Sequence, residues 1–386
     1  MRPLSIAILG TRGVPPAYGG FETFAAELGT RLVARGHRVT VYTRGARRGR
    51  DVWEGIERII LPAASHKYFE TVSHTLLSSL DALRRDFDVV LVCNAANAFV
   101  LPLLRAARIP VAINVDGIER NRRKWNVVGK GVYAIGEAFS VLFADRVIAD
   151  ADVIADYYRS RHQLAPVMIP YGADFPVEAD SDVLERLGLR PRDYLLYVSR
   201  FEPENNPLEV VMAYERASDE WRVASGRHVA PTRHSPPATC PPLVMLGSGL
   251  YAKELVAELH RHASSRILFP GALYGADYRT LQRNALLYIQ ATEVGGTHPA
   301  LIEAMASGGC VVANDTPENR EVGGDAVRYF RLRPAETLSG TLRECLADAD
   351  GREAMRAHAR ERAAARYGWD GVTEAYARLF DEMRRR

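Results

Sequence analysis

Short apolar runs of strand character alternate with helical patterns along almost the whole 386-residue chain, and that alternation leaves few folds open. In the first half the strand-like runs are Leu4–Leu9, Val39–Thr43, Val89–Cys93, Val111–Val115, Arg146–Ala149 and Val167–Pro170. In the second half they are Tyr194–Ser199, Leu243–Leu246, Arg266–Phe269, Leu286–Gln290 and Val311–Asn314. Strands separated by helices imply parallel sheets covered on both faces. Two such series fit two doubly wound α/β domains better than one sheet of eleven strands. The break is expected near "IPYGADFPVEADSD", where the acidic stretch to Asp182 loses all periodicity. The domains are then 1–175 and 176–366, followed by a helix in 367–386 that carries Val372, Tyr376, Leu379, Phe380 and Met383 on one face. A Pro-, Ser- and Thr-rich stretch, 224–242, reads as a surface insertion without chemistry.

Composition excludes several classes. No apolar run of about 18 residues is present, so no membrane-spanning helix is expected. The N-terminus runs directly into a strand pattern and shows no separable signal peptide. Cys93, Cys240, Cys310 and Cys345 are scattered without a C-x-x-C pair, which argues against zinc and disulfides and for a reduced cytosol. A net charge of +3 is too weak to call for nucleic acid. Only four lysines are present (Lys67, Lys124, Lys130 and Lys253), so phosphate recognition must rest on arginine forks and backbone amides.

Ligands of open α/β sheets sit outside the carboxyl ends of the strands, so polar residues that follow strands are the candidates. With two such domains the expected site is a cleft where the two sets of strand ends face each other. After the first strand comes Gly10-Thr-Arg-Gly13-Val-Pro-Pro-Ala-Tyr-Gly19-Gly20-Phe-Glu22. A glycine-rich turn leading into a helix is an anion site in waiting, yet this one is neither G-x-G-x-x-G nor a P-loop. That counts against a dinucleotide-dependent oxidoreductase. "NVDGIERNRRKWN" places Asp116 at another strand end, with Glu119 and a basic run behind it. In the second half "YVSRFEPENN" puts Arg200 just after a strand, and "VMLGSG" repeats the strand-then-glycine arrangement at Gly247. "ATEVGGTHPALIEAMASGGCVVAND" adds the turn Gly295-Gly296-Thr297-His298, a helix entered through Pro299, and Glu303 one turn inside it. Taken alone, Glu303 reads as a solvated helix residue. Asp150 and Asp152, the one Asp-x-Asp found, begin a helix and read as capping residues.

Together these segments resemble the family 4 glycosyltransferases, whose two-domain fold is called GT-B. "AILGTRGVPPAYGGFETF", "INVDGIERNRRKW" and "MIPYGADF" are similar to the bacterial rhamnosyltransferase branch of that family. The resemblance covers nearly the whole chain in the family's order. It implies two Rossmann-like domains across a cleft, with the C-terminal helix crossing back to the first. It also implies a metal-independent retaining transferase without a cofactor, expected in the cytoplasm; the basic residues Arg120, Arg122, Arg123, Lys124 and Lys130 beside Trp125 fit either a solvated face or peripheral contact with the inner face of the cell membrane. Its donor would be a nucleoside diphosphate sugar, foremost dTDP-L-rhamnose, and its acceptor a saccharide carried on lipid or polysaccharide. By this resemblance the amides at Gly13, Gly19 and Gly20 face the donor diphosphate and Arg200 neutralises it. Gly247 and the amides from Gly296, Thr297 and His298 to Leu301 hold the donor, and Glu303 takes its ribose. Asp116, with Arg200, would carry the chemistry beside the transferred sugar. Glu22, Arg122, Arg123, Lys124 and Trp125 would border acceptor or membrane, with Arg120 and Lys130 adding charge.

Two departures from the family pattern stand out. Asn205 occupies the place of a lysine that usually follows the arginine, and is kept as a donor contact. The family pairs two glutamates eight positions apart, but eight before Glu303 stands Gly295, and Glu293 falls two residues early. The alternatives are a UDP- or GDP-hexose donor, a nucleotide-sugar epimerase of the same fold, or a non-catalytic nucleotide-sugar binding protein.

Overall fold

The computed structural model describes the chain apart from residues 1, 17–18, 65–68, 119, 121–126, 175–180, 225–239, 250–251, 333–336 and 386. Nearly all of the Pro-rich insertion, and Arg122, Arg123, Lys124 and Trp125, therefore lie outside the described residues. The chain forms two compact units: Met1–Gly172 with Gly295–Thr297 and Gly368–Arg386, and Ala173–Val294 with His298–Tyr367.

The first unit runs β1 (Ser5–Leu9), α1 (Gly20–Ala34), β2 (Arg38–Arg44), β3 (Gly49–Trp53), β4 (Ile56–Leu61), α2 (Glu70–Ala82), β5 (Val89–Cys93), α3 (Leu101–Ala106), β6 (Val111–Val115), α4 (Val127–Phe143), β7 (Arg146–Ala149), α5 (Asp152–His162) and β8 (Val167–Met168). These strands form one sheet in the order β3-β4-β2-β1-β5-β6-β7-β8. All pairs are parallel except β3 with β4. Every residue of β1, β5 and β6 is buried, as their unbroken apolar runs require of central parallel strands. The apolar periodicity missed the β3–β4 hairpin. Glu54 and Gly55 both adopt positive φ in its two-residue turn, and Val52 on edge strand β3 is 70% exposed, so no apolar run announces it.

The second unit runs α6 (Val183–Arg186), β9 (Leu195–Val198), α7 (Pro207–Ala224), β10 (Leu243–Leu246), α8 (Lys253–Arg261), β11 (Ile267–Gly271), α9 (Gly275–Asn284), β12 (Leu287–Gln290), α10 (Pro299–Ala306), β13 (Val311–Asn314), α11 (Pro317–Gly323), β14 (Arg328–Phe330), α12 (Leu338–Ala347) and α13 (Ala349–Tyr367). Its sheet has the order β11-β10-β9-β12-β13-β14 and is parallel throughout. Three-residue β14, with Arg328 exposed and only Phe330 buried, carries no apolar run in the sequence either.

The last helix, α14 (Trp369–Arg384), packs in the first unit. Phe24 of α1 lies 5.4 Å from the ring of Tyr376 and 6.4 Å from that of Trp369. Asn114 at the end of β6 donates to the Tyr376 hydroxyl at 2.7 Å. Gly172 is fixed by the same contact, since a Cβ there would fall 2.4 Å from the Trp369 ring. All four cysteines are buried and free.

His74 of α2 is fully buried, and burial with the nearby Arg44 lowers its pKa from 6.5 to about 4. Between those values the unfolded chain binds a proton that the folded chain refuses, so stability falls as pH falls. Going from pH 7 to 5 is expected to cost about 2 kcal/mol through this residue. Thermal melts over that range should show the loss in the native chain and a flatter profile in His74→Gln, which does not titrate.

Candidate active site

The glycine loop of the first unit is held largely by itself. The N–H of Gly13 donates to the Thr11 hydroxyl at 2.9 Å, and Val14 N–H reaches Thr43 Oγ1 at 3.4 Å. A Cβ on Gly13 would lie 2.2 Å from Thr43 Oγ1, so β2 itself makes the close approach that demands glycine, with φ at +104°. The Gly13 amide, expected to face a phosphate, is here engaged by the Thr11 hydroxyl. Gly19 caps α1 and Gly20 opens it, exposed to solvent. Glu22 is not at a rim. It is buried beneath the loop, where its carboxylate accepts the Arg12 N–H at 2.7 Å and its own backbone N–H. Burial raises its pKa, partly offset by these N–H groups and by Arg44 and Arg12. One carboxylate therefore already sits at the positive end of α1.

Asp116 follows β6 directly and is half-buried. Its neighbour Gly117 has φ of +153°, and a Cβ there would meet the backbone of Gly295 at 3.3 Å. Asp150, at the end of β7, is not a helix cap: α5 is capped by Ala151, with no side-chain hydrogen bond. Its carboxylate instead accepts the Thr297 N–H at 2.9 Å, and its carbonyl accepts the Thr297 hydroxyl. A Cβ on Gly296 would lie 2.2 Å from Asp150 Oδ1, which explains the glycine. The Thr297 amide, expected among the donor-holding amides, is thus engaged by Asp150. Arg120, counted above among the charges of the rim, pairs with Glu137 at 3.5 Å and lies over the ring of Tyr157.

In the second unit Arg200 lies two residues beyond β9 and is half-buried. Its guanidinium forms no ion pair among the described residues. Its backbone is well fixed. The Arg200 carbonyl accepts the Asn205 side-chain amide at 2.7 Å and the Glu202 N–H at 2.8 Å. Asn205, expected as a donor contact, thus braces the Arg200 loop through its side-chain amide. Gly247 also supports that loop: a Cβ would fall 1.9 Å from the Ser199 carbonyl oxygen and 2.9 Å from the Phe201 ring.

α10 starts at the N-cap His298, with Pro299 in its first turn and no side-chain cap. The Leu301 N–H, expected among the donor-holding amides, returns to the His298 carbonyl at 3.0 Å, and its side chain is core. Glu303 is half-buried and is not merely solvated. Tyr278 of α9 donates its hydroxyl to the carboxylate, while Gln282, one turn on, donates to the Tyr278 oxygen at 2.7 Å and to the Ala300 carbonyl at 3.2 Å. Burial first, then Glu303, pushes the Tyr278 pKa far above its usual value. Neither Tyr278 nor Gln282 stood out in the sequence. Their signal is a Tyr and a Gln four apart on an otherwise charged helix, both turned inward. At the carboxyl ends of β12 to β14 a cavity of about 690 Å3 is lined by Glu293, Asn314, Arg320 and Arg331.

Residues 18–175 match the model of Glycosyltransferase Family 4, and residues 185–362 match that of Glycosyl transferases group 1. The chain belongs to the family 4 glycosyltransferases. No curated protein matches it by sequence. Sucrose-phosphate synthase from Thermosynechococcus elongatus is similar in structure, with a TM-score of 0.78 at 18% identity, over 98% of this chain and 99% of that one. Anabaena HepE in complex with UDP-glucose gives 0.76 at 16% identity, over 98% and 100%. A glycosyltransferase from Rickettsia africae gives 0.69 at 14% identity, over 99% of each chain. These likenesses place the glycosyltransferase in the GT-B fold, with two Rossmann-like domains.

Asp150 and Asp152 do not act as a pair in this glycosyltransferase. The first is engaged by Thr297 and the second is exposed on α5. Turnover is therefore expected to persist in excess EDTA, because a bridging cation would need closely placed carboxylates. Loss of turnover on chelation, restored by magnesium or manganese, would contradict this.

Proposed function

We propose that this glycosyltransferase moves L-rhamnose from dTDP-L-rhamnose, with retention, to a lipid-linked or polysaccharide acceptor in bacterial cell-surface glycan synthesis. It would work in the cytoplasm, in peripheral contact with the inner face of the membrane. The observation that carries the nucleotide-sugar reading is Arg200: a half-buried arginine just beyond a strand end, on a loop braced through its carbonyl, whose guanidinium has no carboxylate partner among the described residues. Such a group suits a diphosphate, and its planar fork matches phosphate oxygens. As the glycosidic C–O bond breaks, its electron pair moves onto the diphosphate oxygen, and in this reading the Arg200 guanidinium stabilises that charge. The leaving phosphate then takes the proton of the acceptor hydroxyl, whose oxygen bonds the same face of the sugar. In this reading Asp116 borders the transferred sugar, and Gly19, Gly20, Gly296 and His298 supply backbone near the phosphates.

The rhamnose assignment is supported by Gly295, which replaces a glutamate of the family pattern and lies against the backbone of Gly117. A carboxylate that commonly reads sugar hydroxyls is missing there, which suits a 6-deoxy sugar. A UDP-hexose donor is the second reading, favoured by the structural likeness to HepE in complex with UDP-glucose.

Tyr278 orients Glu303 toward the donor ribose in this account. Tyr278→Phe removes one hydrogen bond to a charged group, worth about 1.5–3 kcal/mol. The donor KM is expected to rise at least about tenfold while kcat changes little, since the ribose is held equally in ground and transition states. The functional reading itself is tested with vesicles carrying a lipid-linked acceptor and a panel of dTDP-, UDP- and GDP-sugars. Rhamnosyl product with retained anomeric configuration by NMR is expected. Turnover with a UDP- or GDP-hexose alone would overturn the donor, and an inverted product would overturn the mechanism.

A further inference from the structure

We infer that the cavity at the carboxyl ends of β12 to β14 is a subsite for a neutral sugar unit of the acceptor saccharide. Its volume of about 690 Å3 lies within the range of about 300–1,000 Å3 usual for small-molecule sites. Glu293, Asn314, Asp315, Arg320 and Arg331 line it, and Pro317 and Leu332 add an apolar wall. None of Arg200, His298 and Glu303, which the functional reading gives to the donor, is among them.

The deciding group is Asn314, the last residue of β13. It is 6% exposed and lines the cavity, yet its side-chain amide forms no hydrogen bond among the described residues. Buried amides in folded chains are almost always paired, so this one is available to a ligand. The backbone around it is held. The Asn314 carbonyl accepts the Asn319 side-chain amide at 2.9 Å and the Thr316 N–H at 2.8 Å. The same Asn319 amide reaches the Thr292 carbonyl at 3.3 Å, so this buried residue joins the segments that leave β12 and β13. Asp315 N–H donates to the Phe330 carbonyl of β14 at 2.8 Å, and Glu293 N–H to the Glu204 carbonyl at 2.9 Å. A lining fixed in this way lowers the ordering cost of binding.

Charge selects the ligand. The Asp315 carboxylate is shared by Arg320 and by Arg331, the latter at 3.1 Å. The Arg320 guanidinium also lies 4.5 Å from the centre of the Tyr329 ring. Two arginines and two carboxylates line the cavity, so its wall carries no net charge. That balance disfavours a diphosphate, which would have to take the arginines from Asp315, and it suits hydroxyls. An amide that donates and accepts, beside the Glu293 carboxylate, matches the donors and acceptors of a pyranose ring. Pro317 and Leu332 suit its C–H face.

The subsite rests on the functional reading for its saccharide acceptor. The test is saturation-transfer NMR of the full chain with methyl α-L-rhamnoside, methyl α-D-glucoside and methyl β-D-galactoside. Thermal-shift titration with dTDP-L-rhamnose and UDP-glucose runs in parallel. At least one glycoside is expected to bind the native chain saturably and to resist displacement by pyrophosphate. Asn314→Leu should weaken it at least about tenfold while the donor-induced shift is kept. Glu293→Gln, which keeps the shape and removes a charge, should weaken it in the same direction, whatever the stability of Asn314→Leu. The inference is overturned if no glycoside binds saturably, if both variants bind as the native chain does, or if pyrophosphate displaces the glycoside. Equal loss of donor and glycoside binding in Asn314→Leu would assign the cavity to the donor's own sugar and overturn the acceptor claim. If no donor shifts the native chain while a glycoside still binds, the donor reading fails and the sugar subsite stands.

Discussion

Arg200→Ala is expected to weaken binding of the nucleoside diphosphate donor by about 2–5 kcal/mol, because it leaves a desolvated diphosphate without its counter-charge. The loss should be large because the residue has nothing else to do. Its guanidinium forms no ion pair among the described residues, so removing it leaves no partner carboxylate stranded and folding is expected to be spared. Arg200→Lys should recover only part of the affinity, since a point charge replaces a two-pronged fork. The cation that the family usually places five residues later is here Asn205, which is occupied in bracing the loop and cannot compensate. Calorimetry showing donor affinity within a factor of about three of the native chain would remove Arg200 from the site.

Gly247→Ala is expected to damage the same site through the fold. The added methyl would fall 1.9 Å from the Ser199 carbonyl oxygen, a backbone atom that cannot swing aside, in a residue whose φ is +156°. Either β10 or the Ser199–Phe201 segment must move, at a cost of about 3 kcal/mol or more of stability. Because that segment carries Arg200, donor affinity should fall as well, even in the fraction that stays folded. Urea unfolding monitored alongside donor binding checks both effects. A variant with native stability and native affinity would mean that the β10 turn has room that its geometry denies.

These two residues also show how far the sequence could be read. Both were picked out by position, as polar or glycine residues directly after apolar strands, and the parallel architecture makes that a sound rule. Each of the eleven apolar runs is a strand, with ends that coincide or differ by at most two residues, because buried parallel strands write themselves as unbroken apolar segments. β3, β4 and β14 lacked that signature, being at or near sheet edges with exposed or mixed residues. Roles were harder to read than positions. At Gly13, Gly247 and Gly296, each expected to hold the donor, a strand, a loop or a carboxylate of the chain itself makes the close approach. Glycine reports close approach but not the identity of what approaches. Asp150 could not be assigned from spacing, because its partner Thr297 stands 147 residues away. Glu303 looked solvated for the same reason: the phenol that holds it comes from a different helix.

The central claim is that this chain binds a nucleotide sugar through Arg200. Thermal-shift titration of the native chain and Arg200→Ala with dTDP-L-rhamnose, UDP-glucose and a GDP-hexose tests it most directly, because a ligand that binds only the folded state raises the melting temperature with its concentration. The account predicts a dose-dependent rise with dTDP-L-rhamnose in the native chain that is lost in the variant. No rise with any of the three donors, or an equal rise in Arg200→Ala, would contradict it.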